Sequence, residues 1–178
     1  LVIALICGGG SALLPSPPDG LTLQDEILLN ELLLASGAPI SAMNVVRKHL
    51  STIKGGRLAA ATRARVVSLI VSDIPGDNPA HVASGPTVPD GSTRHDALQI
   101  IQQYSLKLPQ AAMDHLNSPK ADAPRPDDAV FAGHEHHIIA SAGVSLEAAA
   151  ELARSQGITP AILSDSVEGE SRDVALVH

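Results

Sequence analysis

Four cations fall close together in an otherwise acidic chain. The 178-residue protein has a formal charge of −7, and Arg47, Lys48, Lys54 and Arg57 are a third of its 12 Lys and Arg residues. Two glycines follow Lys54 and would let a ligand approach the backbone while the ammonium group reaches it. Phosphoryl transfer requires cations where negative charge accumulates, so the segment suits that chemistry. A solvated helix face is the competing interpretation.

A triple glycine follows the first apolar run of the chain. Gly8, Gly9 and Gly10 come directly after residues 1–7 and are followed by Ser11. Backbone N–H groups without neighbouring side chains can bind phosphate or carboxylate oxygens. Neither the Walker A pattern nor the dinucleotide-binding fingerprint fits this spacing. A simple tight turn remains the alternative.

Two aspartates follow the second apolar run, residues 66–72. Asp73 and Asp77 flank a Pro-Gly turn. This placement suits binding of Mg²⁺, binding of substrate hydroxyl groups or action as a base. Local capping of the turn is the alternative.

Two further segments carry polar groups that could line the same cleft. The run from Ser84 through Gly85 to Thr87 is a stiff loop with two hydroxyl groups, and Glu168 and Glu170 precede an expected helix. Helix capping would also explain the glutamates.

The composition excludes several classes of function. Tyr104 and Phe131 are the only aromatic residues, so a base-stacking platform for single-stranded nucleic acid is excluded, and no basic run would bind a duplex. The single cysteine, Cys7, cannot form an internal disulfide and is expected to be an inert core thiol. We therefore expect no nucleic-acid or membrane partner, and the cytoplasm is the default location.

Residues 134–137 contain three histidines and a glutamate, which invites a metal hypothesis. In a strand, successive side chains point to opposite faces, so no more than two of them could converge on one ion. We therefore predict an exposed approach to a strand.

Apolar runs alternate with helical patterns along the chain, which predicts an α/β fold with a mostly parallel sheet and helices on both faces, as in Rossmann-like proteins. Strands are expected at residues 1–7, 66–72, 138–141 and 161–163, the first of them buried on both faces. Helices are expected from residue 22 to 37, from near 41, at 58–64, 93–104, 109–116 and 145–156, and from 170 onward. Ligands of such sheets bind at the carboxyl ends of the strands, where the loops described above would gather.

Several motifs, taken in order, resemble the class II glycerate kinases, enzymes with a C-terminal MOFRL domain that are often labelled hydroxypyruvate reductases. The matching segments are residues 7–14, 36–38, 44–59, 72–77, 83–87 and 168–172. The resemblance implies ATP-dependent, Mg²⁺-assisted phosphorylation of D-glycerate to 2-phosphoglycerate in a cleft between two α/β domains. Residues 1–178 would then be part of the N-terminal domain, without its upstream segment and without the MOFRL domain, which leaves open whether the chain acts alone.

The resemblance also implies roles for individual residues. Lys54, Asp73 and Lys48 would be catalytic, and Asp73 and Asp77 would hold Mg²⁺. Binding of substrate or nucleotide would involve Gly8, Gly9, Gly10, Ser11, Arg47, Asp77, Ser84, Gly85, Thr87, Glu170 and Arg172. The partner would be a small molecule, and a homodimer is one expectation. An NAD(P)H-dependent hydroxypyruvate reductase and a non-catalytic module for small anions remain the alternatives.

Overall fold

The computed structural model describes residues 1–177 and contains a three-stranded parallel sheet with the order β1-β2-β3. The strands are β1 (Val2–Cys7), β2 (Val66–Val71) and β3 (Glu135–Ala140). Val2 pairs with Val66 and Cys7 with Val71, while an irregularity between Ile70 and Val71 shifts the pairing with β3. The predicted α/β class with a parallel sheet is therefore confirmed.

Eight α-helices connect and flank the strands within the described residues. They are α1 (Gly10–Leu13), α2 (Leu23–Ala35), α3 (Ile40–His49), α4 (Arg57–Ala60), α5 (Arg94–Gln103), α6 (Gln110–Asn117), α7 (Ala142–Ser155) and α8 (Ser171–Val177). Short 3-10 turns occur at Pro75–Asp77, Val82–Ser84, Pro119–Ala121 and Ala129–Phe131. No helix in this part of the chain has the length and apolar character needed to cross a bilayer.

The start of α2 follows from local sequence chemistry. The Thr22 side chain accepts a hydrogen bond from the Asp25 backbone N–H, and the Asp25 side chain accepts one from the Thr22 backbone N–H. This capping box satisfies two N–H groups that the first helical turn leaves free. The predicted helix start is confirmed.

The main core lies among α2, α3, α5 and α6. It is built from aliphatic side chains, as the scarcity of aromatic residues requires: Leu29, Leu33, Val46, Leu50, Ile101 and Leu116 are all nearly excluded from solvent. Burying such side chains is worth about 1.5–3 kcal/mol each. This core holds α3, which carries two of the candidate site residues, firmly against its neighbours.

Three predicted elements differ clearly from the structure. The strand expected at residues 138–141 is Glu135–Ala140, so residues 135–137 lie within it and not before it as predicted. Residues 161–163 form no strand, and Leu163 is 73% exposed, because this segment has no sheet neighbour within residues 1–177. The helix expected at residues 58–64 ends at Ala60, since the chain must turn before it enters β2. The Thr62 hydroxyl accepts a hydrogen bond from the Ala64 N–H in that turn.

The first strand is less buried than its apolar sequence predicts. Ile3 and Leu5 are 61% and 77% exposed, and Cys7 is also exposed. In the described residues β1 pairs only with β2, and one of its faces remains uncovered. The prediction of burial on both faces, and that of a core thiol, are therefore wrong for this chain.

Acid should destabilise the fold through His49. The imidazole is fully buried, and Nδ1 lies 2.8 Å from the Ala121 carbonyl oxygen. Burial lowers the pKa of His49, so the unfolded chain binds a proton more readily and the free energy of unfolding falls as pH drops below about 6.5. We expect His49→Asn, which can still donate to Ala121, to flatten the pH dependence of the melting temperature. The exposed His136→Asn should leave that slope unchanged, and an equally steep slope in His49→Asn would contradict this role.

Candidate functional site

Two loops meet at the carboxyl ends of β1 and β2. Gly8 follows β1 and Asp73 lies just beyond β2, and a Cβ atom added to Gly8 would be only 1.9 Å from Asp73 Oδ2. The Asp73 carboxylate therefore packs directly against the glycine backbone. This contact requires glycine at position 8 and leaves the exposed Asp73 at the mouth of the site.

The glycine loop presents backbone donors that are free of internal acceptors. Gly9 adopts a φ of +81°, and a Cβ atom at Gly10 would lie 2.7 Å from that of Ala83. Among residues 1–177, the N–H groups of Gly9, Gly10 and Ser11 form no hydrogen bond. Consecutive free N–H groups of this kind can bind an anion.

A hydroxyl chain joins the glycine loop to α3. Ser11 Oγ lies 2.7 Å from Ser84 Oγ, and Ser84 Oγ donates to Asn44 Oδ1 at 3.3 Å. Ala83 and Ser84 have φ values of +52° and +62°, a left-handed conformation that costs about 1–3 kcal/mol per residue. Gly85 is also left-handed, and a Cβ there would lie 2.4 Å from a backbone oxygen. The strained loop thus keeps the Ser84 hydroxyl between two polar partners.

The basic glycine turn is attached to this same loop. The Gly55 N–H donates to the Ser84 carbonyl at 3.1 Å, and the Gly56 N–H donates to the Gly85 carbonyl at 2.7 Å. Gly56 has a φ of +82°, and any side chain there would press against Pro89. Backbone hydrogen bonds therefore position the turn that carries Lys54.

Both candidate lysines lie in buried ion pairs. Lys54 Nζ is 2.9 Å from Glu26 Oε1, and Lys48 Nζ pairs with Asp90; the two lysines are only 2% and 1% exposed. Although burial by itself raises the pKa of Asp90, hydrogen bonds from Lys48 and Ser92 hold it below its ordinary value. The solvated-face interpretation is thereby wrong, while a catalytic role of either lysine stays a prediction.

The two arginines of the basic segment differ in their surroundings. Arg47 Nε donates to Asn30 Oδ1 at 2.7 Å, and Arg47 lines a cleft of about 290 Å³ together with Ser11. Arg57 instead donates to backbone carbonyl groups, including that of Lys48 at 2.7 Å. Arg47 is thus placed near the glycine loop, whereas Arg57 stabilises the backbone around it.

A second cleft, of about 370 Å³, lies between the start of α3 and the turn that follows β2. Ile74, Asn44, His81 and Glu168 are among the residues that line it. Burial lowers the pKa of His81, and the nearby Lys48 charge lowers it further, which favours a neutral imidazole at pH 7. Asn44 is not among the predicted site residues, although its position four residues before Lys48 places both on one helix stripe.

Other predicted site residues lie apart from these contacts. Asp77 ends a 3-10 turn with a φ of +51°, and Thr87 Oγ1 is buried and accepts a hydrogen bond from Ser68 at 2.8 Å. Glu170 and Arg172 are exposed, and Glu168 rather than either of them reaches the 370 Å³ cleft.

The histidine-rich segment lies in and before β3. Glu135 pairs there with Arg65 and, at 3.3 Å, with His137. Within residues 1–177 no three His, Cys, Asp or Glu side chains cluster closely enough to hold a metal by themselves. Any cation at Asp73 and Asp77 would thus need ligand atoms from elsewhere, such as phosphate oxygens or water.

The fold and these loops define an α/β protein with a candidate small-ligand site at the carboxyl ends of its strands. Residues 1–117 match the model of a family described as Domain of unknown function (DUF4147), and the chain belongs to that family. Several of its relatives are named glycerate kinase, which confirms the resemblance to that family.

The relatives carry two kinds of name. The chain is 52% identical over 178 residues to a protein of Agrobacterium vitis named "Putative hydroxypyruvate reductase", covering 99% of this chain and 45% of the relative. It is 38% identical to the glycerate 2-kinase of Pyrococcus horikoshii, and that match covers 99% of this chain and 41% of the relative. It is 40% identical to the human glycerate kinase, where the match covers 98% of this chain and 34% of the relative. The chain thus spans less than half the length of these curated relatives.

Solved structures show the same fold. A crystal structure of glycerate kinase from Thermotoga maritima superposes with a TM-score of 0.82 at 35% identity, covering 97% of this chain and 40% of that one. A crystal structure of a protein from Pyrococcus horikoshii OT3 superposes with a TM-score of 0.79 at 38% identity, covering 99% of this chain and 41% of that one.

Proposed function

We propose that the protein containing this chain phosphorylates D-glycerate to 2-phosphoglycerate with ATP as the phosphoryl donor. The observation that carries the proposal is the set of free N–H groups at Gly9, Gly10 and Ser11 beside the Asp73 carboxylate. Transfer of a phosphoryl group requires fixed donors for its oxygens and a group that orients the acceptor hydroxyl, and this edge of the sheet offers both. The glycerate kinase names of relatives support the same reaction.

The proposed roles follow from position. The glycine loop and Ser11 would bind phosphate or carboxylate oxygens, and Arg47 would add charge from the neighbouring cleft. Asp73 would orient the attacking hydroxyl group. Ser84 and Gly85 would shape the loop, while Thr87, Glu170 and Arg172 would act from the periphery.

The lysines would supply positive charge beneath the loop. Lys54 is paired with Glu26. Its ammonium group would therefore have to bind the ligand while the ion pair stays intact, or break the ion pair to reach the ligand. Lys48 would contribute more indirectly, since Asp90 is its partner.

Mg²⁺ would be held by the carboxylates of Asp73 and Asp77 together with oxygen ligands from outside the chain. This ion is typically bound by one or two carboxylates together with phosphate oxygens and water, and it would neutralise charge on the transferred group. The exposed position of Asp73 next to the free N–H groups is compatible with such a shared arrangement.

The test uses the full-length protein, because residues 1–178 would be only part of the N-terminal domain of a longer enzyme. With D-glycerate, ATP and Mg²⁺ we expect ADP release, and phosphorus NMR should identify 2-phosphoglycerate. Formation of 3-phosphoglycerate would correct the position of transfer. Absence of ADP formation would overturn the kinase proposal.

The name of the Agrobacterium vitis relative favours the reductase as a second candidate. Oxidation of NADH or NADPH by hydroxypyruvate would support it, although the glycine loop lacks the spacing of a dinucleotide fingerprint. A module that only binds anions would instead be stabilised by phosphate or glycerate without turnover.

A further inference from the structure

We propose that Asn44 is a substrate-binding residue whose side-chain amide donates to an acceptor oxygen of the hydroxy acid. Asn44 lies on α3, is 7% exposed and lines the 370 Å³ cleft together with Ile74, the residue after Asp73 in the chain. The inference rests on the proposed function for the identity of the ligand, but its geometry does not depend on it.

The orientation of the Asn44 amide is set by its neighbour. Ser84 Oγ donates its single proton to Asn44 Oδ1, so the proton between the two serines comes from Ser11. The Asn44 oxygen is thereby occupied, and Nδ2, with its two N–H donors, forms no hydrogen bond among residues 1–177. An amide that is held at its oxygen and belongs to a residue lining a cleft is oriented in advance to bind an acceptor oxygen.

The strained loop supports this interpretation. Ala83 and Ser84 both adopt left-handed backbone conformations, which cost free energy and are characteristic of sites where geometry matters for function. Here the strain places the Ser84 hydroxyl against Asn44. The free-energy cost of the two left-handed residues is explained if the loop serves to orient the Asn44 amide.

The surroundings of Asn44 select the ligand chemistry. The imidazole of His81 favours the neutral state, Lys48 is neutralised by Asp90, and Glu168 also lines the cleft. Such a cleft disfavours a highly charged phosphate group. It suits a small ligand with one carboxylate and hydroxyl groups, which could accept from Asn44 and donate to Glu168.

The experiment replaces the amide without changing its shape. Asn44→Asp keeps an oxygen for the Ser84 hydroxyl but exchanges the N–H donors for a second oxygen. We expect D-glycerate binding to the full-length protein, measured by calorimetry, to weaken about tenfold or more. The control is Asn117→Asp on α6, whose amide donates to a backbone carbonyl at 2.9 Å, far along the chain from the cleft residues; it should bind D-glycerate as the wild type does.

The outcomes separate this inference from the kinase proposal. Weaker D-glycerate binding in Asn44→Asp supports the inference even if the wild type forms no ADP. In an active enzyme we expect KM for D-glycerate to rise while KM for ATP changes little. Unchanged D-glycerate affinity would overturn the inference. If Asn44→Asp does not fold, Asn44→Ala is measured instead, and failure of both variants to fold would assign the amide a purely structural role.

Discussion

Lys54→Met is expected to destabilise the protein by about 3–5 kcal/mol and to abolish turnover. The substitution removes the only hydrogen-bonding partner of Glu26 Oε1 within the described residues, and Glu26 Oε2 is already buried without a partner. A buried carboxylate that loses its counter-ion retains the full cost of its desolvation. Urea unfolding of the full-length protein measures the loss, and the exposed Lys107→Met should remain within about 0.5 kcal/mol of the wild type.

A double variant separates stability from catalysis. Exchanging both members of the ion pair, Glu26→Leu with Lys54→Met, replaces two buried charges with apolar groups and should restore the free energy of unfolding. If the Lys54 ammonium takes part in phosphoryl transfer, the restored protein remains inactive. Recovery of turnover together with stability would show that Lys54 serves the fold alone.

Gly8→Ala is expected to lower turnover about 100-fold while changing the melting temperature little. The new methyl group would lie 1.9 Å from Asp73 Oδ2 and 2.9 Å from Asp73 Cβ, so Asp73 must shift as a whole, whereas Gly8 does not have a left-handed backbone that would penalise alanine. The expected effect is therefore a displaced Asp73 carboxylate in a folded protein. Steady-state kinetics of the full-length protein with D-glycerate and ATP measure this effect.

Gly91→Ala is the matched control for Gly8→Ala, because nothing lies within 4 Å of its added methyl group. If Gly8 acts only through Asp73, adding Gly8→Ala to Asp73→Ala should cause little further loss. Wild-type turnover in Gly8→Ala would show that the contact between Gly8 and Asp73 has no role in the reaction.

Much of the fold could be predicted because its signals are local. The Thr22 and Asp25 capping box, the glycines that directly follow β1, and the spacing of apolar residues in α3 all act within a few residues. The prediction failed where burial depends on distant partners, as at Cys7 and at residues 161–163. Apolar composition alone cannot report whether another element covers a strand.

In the candidate site, too, local features could be predicted and contacts between distant residues could not. By itself the sequence determined the residue types, the glycine loop, the cluster of four cations and the expectation that strand ends would bring Gly8 and Asp73 together. Only the tertiary structure decided that Lys48 and Lys54 are buried against Asp90 and Glu26. A carboxylate far away in sequence is invisible to patterns of local spacing.

The orientation of the Asn44 side chain is the clearest example of a feature that only the tertiary structure could show. Its place on α3 follows from helical periodicity, but its hydrogen bond to Ser84 joins residues 40 positions apart through a left-handed loop. Sequence patterns specify which side chains share a face of one element. Which donor remains free in a cleft depends on every partner that the folded chain brings near it, and that is a property of the packing.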